Sequence, residues 1–171
     1  MKKRLLLIVV ILTGLLMSCE KETTIEIKLN AGQDTVELNF DWVDKGAVLK
    51  VGSKEYQAVT DDQVDTTTLG LYKVEYYYEY DGKEYKIIRY VNVVDQLKPI
   101  IELNPGIDTI KVGEEWLDAG AEAFDNSQED IEIIVSGEVD TTKVGTYQII
   151  YKASDASGNT TEIIRYVNVV E

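Results

Sequence analysis

The sequence predicts an all-β chain folded as two successive antiparallel sandwiches, and three observations carry that expectation. The run IIRYVNVV occurs at Ile87–Val94 and again at Ile163–Val170, 76 positions apart. Composition does not produce such an identity, so it marks an internal duplication. Between Thr23 and Glu171 no apolar stripe of 3.6-residue period is sustained. Apolar and polar residues alternate instead, as they do along half-buried strands. Gly, Asn and Asp bound these runs at short intervals with no helical crossover between them, which suits antiparallel sheets stacked in two layers.

Taken in order, Lys2, Lys3 and Arg4 precede an apolar run from Leu5 to Met17. A basic start, a short apolar stretch and a small residue before a cut site read as a signal peptide, too short to span a bilayer. Leu16-Met17-Ser18-Cys19 resembles the lipobox of bacterial lipoproteins, in which Cys19 becomes the lipidated first residue of the mature chain. Met17 is bulkier than the residue usual at its place. On this reading residues 1–18 are a lipoprotein signal peptide and residues 19–24 a polar tether. The lipid then holds a soluble domain pair on a membrane it does not span, with the outer membrane of the cell envelope as the expected location. Glu20-Lys21-Glu22 is similar to the surface-export signals of Bacteroidota lipoproteins.

The duplication divides the remainder into a first domain at residues 25–95, a linker at 96–99 and a second domain at 100–171. Trp42-Val43-Asp44-Lys45-Gly46-Ala47 matches Trp116-Leu117-Asp118-Ala119-Gly120-Ala121, and Val64-Asp65-Thr66-Thr67 matches Val139-Asp140-Thr141-Thr142. Pro99 stiffens the approach to the second unit. Tyr147, Ile149, Tyr151 and Ala153 fall on one face of a predicted strand. In the last strand Ile163, Val167 and Val169 share a face, with Arg165 among them.

Gly145-x-Tyr147 after Asp140, repeated as Gly70-x-Tyr72, resembles the tyrosine corner of immunoglobulin-like sandwiches, in which the phenol bonds backwards to main chain. The cysteine such a fold often carries two residues later is Ile149 here and Val74 in the first repeat, so apolar packing replaces a disulfide. Together with Ala123-Phe124-Asp125-Asn126, Val135-Ser136-Gly137 and Asp155-Ala156-Ser157-Gly158-Asn159, these residues make the second repeat similar to the bacterial Ig-like domain of unknown function first noted in pesticidal crystal proteins. The first repeat departs from that pattern where Asp81-Gly82-Lys83 replaces the last of these motifs. The resemblance implies two tandem immunoglobulin-like sandwiches used as spacers or binding modules, and it implies no catalytic residue.

Charge and composition narrow the chemistry. The formal net charge of −14 repels nucleic-acid phosphate, leaving a protein or glycan as the expected partner. There is no His, and Cys19 is the sole Cys, so the usual metal, disulfide and nucleophile sets are missing and no enzyme or cofactor is expected. One inorganic ligand suits the remaining donors. Asp118, Asp125, Asn126, Asp130, Asp155 and Asn159 fall in predicted loops, and calcium takes several such oxygens, although the same residues also make turns unaided.

Tyr76, Tyr78 and Tyr80 alternate along one strand, with Tyr85 in the next. They suit either a core without a disulfide or a patch that stacks on a ligand. Thr35, Thr66, Thr109 and Thr141 each follow an Asp and resemble O-glycosylation acceptors of Bacteroidota envelope proteins, where turn capping by the Asp is the alternative. The expected role is a non-catalytic envelope lipoprotein presenting a surface to its partner. A glycan-binding lipoprotein of a sugar-uptake system and a purely structural stalk are the alternatives.

Overall fold

The computed structural model describes residues 23–127 and 130–171, all as strands, turns and loops. The expected signal peptide, Cys19 and most of the expected tether lie outside the described residues.

Strands β1 (Ile25–Leu29), β3 (Ala47–Val51) and β4 (Lys54–Gln57) form one antiparallel sheet in that order. β2 (Thr35–Glu37), β6 (Lys83–Val94) and β5 (Gly70–Tyr80) form a second sheet of mixed direction. Among the described residues the later half follows this plan without a strand in the place of β4: β7 (Ile100–Leu103) pairs with β9 (Ala121–Phe124) alone. Opposite them, β10 (Ile133–Ser136), β11 (Gly145–Ser154), β12 (Thr160–Val170) and β8 (Thr109–Lys111) make the second layer. Every ladder among these strands joins residues of one half only.

The all-β fold agrees with the sequence expectation, with one refinement. β2 runs parallel to β6, and β8 parallel to β12. The opening strand of each half leaves its own sheet at residues 30–34 or 104–108 and continues in the same direction on the other sheet, where the nearest strand runs alongside it.

A buried guanidinium supports each sheet switch. Arg89 and Arg165, 3% and 2% exposed, sit on strands whose neighbouring inward positions are apolar. Arg165 Nη1 donates to Asp108 at 2.8 Å and Nη2 to the Asn104 carbonyl at 2.6 Å. Arg89 makes the equivalent bonds to Asp34 and to the Asn30 carbonyl. Glycine lets each guanidinium keep this place, because a Cβ on Gly32 or Gly106 would come to 2.8 Å from the arginine Nη1 and displace it.

The alternation read from sequence positions the cores. Val74, Tyr76, Val91 and Val93 are buried in the first half, and Ile149, Tyr151, Ala153, Val167 and Val169 in the second. Tyr72 Oη donates to the Thr68 carbonyl at 2.9 Å and Tyr147 Oη to that of Lys143 at 3.0 Å, so both tyrosine corners form. The β5–β6 turn is Asp81-Gly82 with φ of 51° and 69°, the pair of positive angles that a two-residue type I′ hairpin demands.

Between the halves the chain is closely held. Leu97 N donates to Glu37 Oε1 at 3.1 Å, with Gln96 N on the same oxygen, and Pro99 is fully buried. Asn39 Nδ2 donates to the Asn126 carbonyl at 2.8 Å, and Asn126 Nδ2 returns a bond to the Leu38 carbonyl at 3.0 Å.

Candidate metal centre

Three carboxylates meet where the halves adjoin. Asp95 is the first residue beyond β6, Asp125 the first beyond β9 and Asp155 the first beyond β11. One oxygen from each lies within 4.8 Å of the others. Antiparallel pairing brings the strand ends together: Ile100 opposite Phe124 puts Asp125 at the start of β7, and Ser154 opposite Thr160 puts Asp155 in the turn before β12. Asp95 is tied to that turn by Ser157 Oγ, which donates to its Oδ2 at 2.8 Å, and by Asn159 Nδ2, which donates to its carbonyl at 3.2 Å.

Part of this arrangement is turn chemistry. Asp125 Oδ1 accepts from Ser127 N at 2.9 Å, and the Asp155 carboxylate accepts from Asn159 N and Nδ2, both at 2.8 Å. Those bonds leave other oxygens unanswered. Asp95 Oδ1, Asp125 Oδ2, Asn126 Oδ1 and Ser127 Oγ are sealed from solvent and accept no hydrogen bond. Among the described residues no Lys or Arg forms an ion pair with any of the three acids. Two unit charges 4.8 Å apart repel by about 3.5 kcal/mol at an effective dielectric of about 20.

Of the oxygens suggested by sequence, the structure brings together those of Asp125 and Asp155, with Asn126 and Asn159 on the same two loops. Asp118 lies elsewhere: its Oδ1 accepts from Tyr151 Oη and from Gly120 N, with Arg165 Nε 3.7 Å away. Asp130 is exposed and outside the cluster. Asp95, which the sequence reading treated only as the end of the first domain, is the third member. Its one sequence signal is the acid that follows the first octapeptide.

The corresponding end of the first half is built differently. By strand register Val51 stands where the second half has Asp125, and Tyr80 where it has Asp155. There Tyr56 packs against Tyr78 and Tyr80 with ring centroids 5.4 and 5.7 Å apart. Tyr85 faces Tyr78 across the ladder, with Lys83 Nζ 5.1 Å above its ring. These four tyrosines are half-buried. Tyr76 does not belong with them: it is 1% exposed in the core, and its phenol donates to Asp44 at 2.6 Å. Burial first, and that bond second, push it up to about 12.

The four Asp-Thr pairs also acquire places. Asp34 and Asp108 hold the buried arginines, whereas Asp65 and Asp140 cap turns through Thr67 and Thr142. Thr35 and Thr109 are exposed, Thr66 and Thr141 half-buried.

With this geometry in place, one family comparison bears on the class of molecule. Residues 106–169 match the family described as bacterial surface protein, Ig-like domain. Fold and match together make residues 106–169 an all-β, immunoglobulin-like module similar to those of bacterial surface proteins. No curated protein matches the chain.

Proposed function

We propose that this chain is a non-catalytic lipoprotein of the bacterial envelope, in which two tandem immunoglobulin-like domains, at residues 25–95 and 100–171, present a surface to a protein or glycan partner. The observation that carries the reading is the match of residues 106–169 to a bacterial surface Ig-like domain. A first half with the same sheet switch, buried arginine and tyrosine corner supports the tandem arrangement. The lipobox-like Leu16-Met17-Ser18-Cys19 supplies the anchor. Protease treatment of intact native cells tests display: loss of the protein with periplasmic controls preserved supports the surface reading. Survival on intact cells, with cleavage after lysis, places the domains in the periplasm. Cys19→Ser is expected to release the protein from the membrane fraction.

The half-buried cluster of Tyr56, Tyr78, Tyr80 and Tyr85 favours a glycan as the second reading, because part-exposed rings offer faces to sugars. Tyr80→Ala then abolishes retention on a glycan array while melting stays near that of the parent. A large drop in melting temperature instead identifies the cluster as packing.

A further inference from the structure

We propose that Asp95, Asp125 and Asp155 form a calcium site that clamps the exit of β6 to two loops of the second half. The inference is independent of the lipid anchor and of any partner. It begins with convergence: three carboxylates from separate strand ends, each with an oxygen within 4.8 Å of the others, and no cationic side chain paired with them among the described residues.

Burial is the second, independent observation. Asp155 is only 8% exposed, and Asp95 Oδ1 and Asp125 Oδ2 are shut off from solvent with no donor facing them. A solvent-sealed anionic oxygen without a partner is strongly disfavoured, and a cation answers all three acids at once. Asn126 Oδ1 and Ser127 Oγ, also sealed and without a partner, adjoin Asp125 in the same loop.

The donors are oxygen only, which selects a hard cation over zinc or copper. They come from three loops rather than a rigid octahedral frame, which suits calcium better than magnesium. The fold itself does not require the acids, since Val51 and Tyr80 occupy the matching positions in the first half. What distinguishes the second half is the chain that adjoins it, and that chain contributes Asp95. Calcium here ties the exit of β6 to the second sandwich and stabilises it.

The test is calorimetric titration of the full chain with calcium chloride, purified in detergent and freed of metal with a chelator. Melting is followed in parallel. We expect one calcium per chain, with affinity in the ~10⁻⁵ to 10⁻³ M range of sensor and extracellular sites. A hundredfold excess over Kd should raise the melting temperature by at least about 5 °C. Asp95→Asn and Asp125→Asn should each weaken binding at least about tenfold, while Asp130→Asn leaves it unchanged. In chelator both variants should melt no lower than the parent, because each removes a like charge, which also verifies that they fold.

No binding by the parent chain up to about 10 mM calcium, well beyond the weak end of extracellular sites, overturns the proposal. Binding that survives both Asp95→Asn and Asp125→Asn overturns it equally.

Discussion

A guanidinium enclosed in a small sandwich is stable only where acceptors replace the water it has lost. Arg165 finds Asp108 and the Asn104 carbonyl, and its Nε has no hydrogen bond. Removing the side chain leaves the Asp108 carboxylate and a carbonyl at the sheet switch without their donor. Arg165→Ala is therefore expected to lower unfolding free energy by about 2–5 kcal/mol, the range for truncating a large buried side chain, whereas Arg165→Met keeps most of the volume and costs less. Urea denaturation of the two variants checks the order.

Tyr76 makes the second residue-level case. Its phenol is pushed from 10.0 up to about 12 by burial and by its bond to Asp44, so the folded state holds a proton that the unfolded chain releases. Its contribution is fully present below pH 10 and is lost as pH rises towards 12. Melting temperatures measured across that window should fall less steeply for Tyr76→Phe than for the parent. An unchanged slope would rule out this phenol as a contributor.

At the scale of the strand and its connection, hydrogen bonds and backbone angles decide more than side-chain chemistry. Tyr147→Phe removes only the corner bond to the Lys143 carbonyl and should cost about 1 kcal/mol, as one intramolecular hydrogen bond does. Gly137 stands at φ of 105°, and a Cβ there would strike the Gln148 carbonyl on β11. Gly137→Ala should therefore cost more, about 2–3 kcal/mol, from a strained backbone alone.

These elements also mark what the sequence made legible. The alternation in Tyr147, Ile149, Tyr151 and Ala153 placed four inward residues correctly, because strand period is a local property. The two Gly-x-Tyr corners were equally local. The parallel pairings of β2 and β8 were not, since a strand that changes sheets keeps its alternation and changes only its neighbours. Arg165 was legible as an interruption of an apolar face, but neither it nor Arg89 as a support of the switch. Their acceptors lie 45 to 61 positions away in the chain. Asp95 escaped notice for the same reason: nothing in its immediate sequence distinguishes a strand-ending acid from one that meets two others.

For the molecule as a whole, the junction determines whether the halves behave as two bodies or one. A four-residue linker alone would let them move independently, yet Glu37 binds the linker amides and Asn39 and Asn126 exchange bonds across the boundary. Each hydrogen bond contributes only about 1 kcal/mol, but together they oppose separation of the halves before either core opens. Calorimetry of the parent in chelator should thus give one cooperative transition. Glu37→Ala combined with Asn126→Ala removes the linker acceptor and the side-chain half of the exchange while leaving both cores untouched, and should split melting into two transitions. Two transitions already present in the parent would mean that the halves are coupled too weakly for these bonds to transmit unfolding. A single transition retained in the double variant would shift the coupling to the packing around buried Pro99. Adding calcium to the double variant then separates the two kinds of junction: a cation held by Asp95, Asp125 and Asp155 should draw the transitions back together without restoring either lost hydrogen bond.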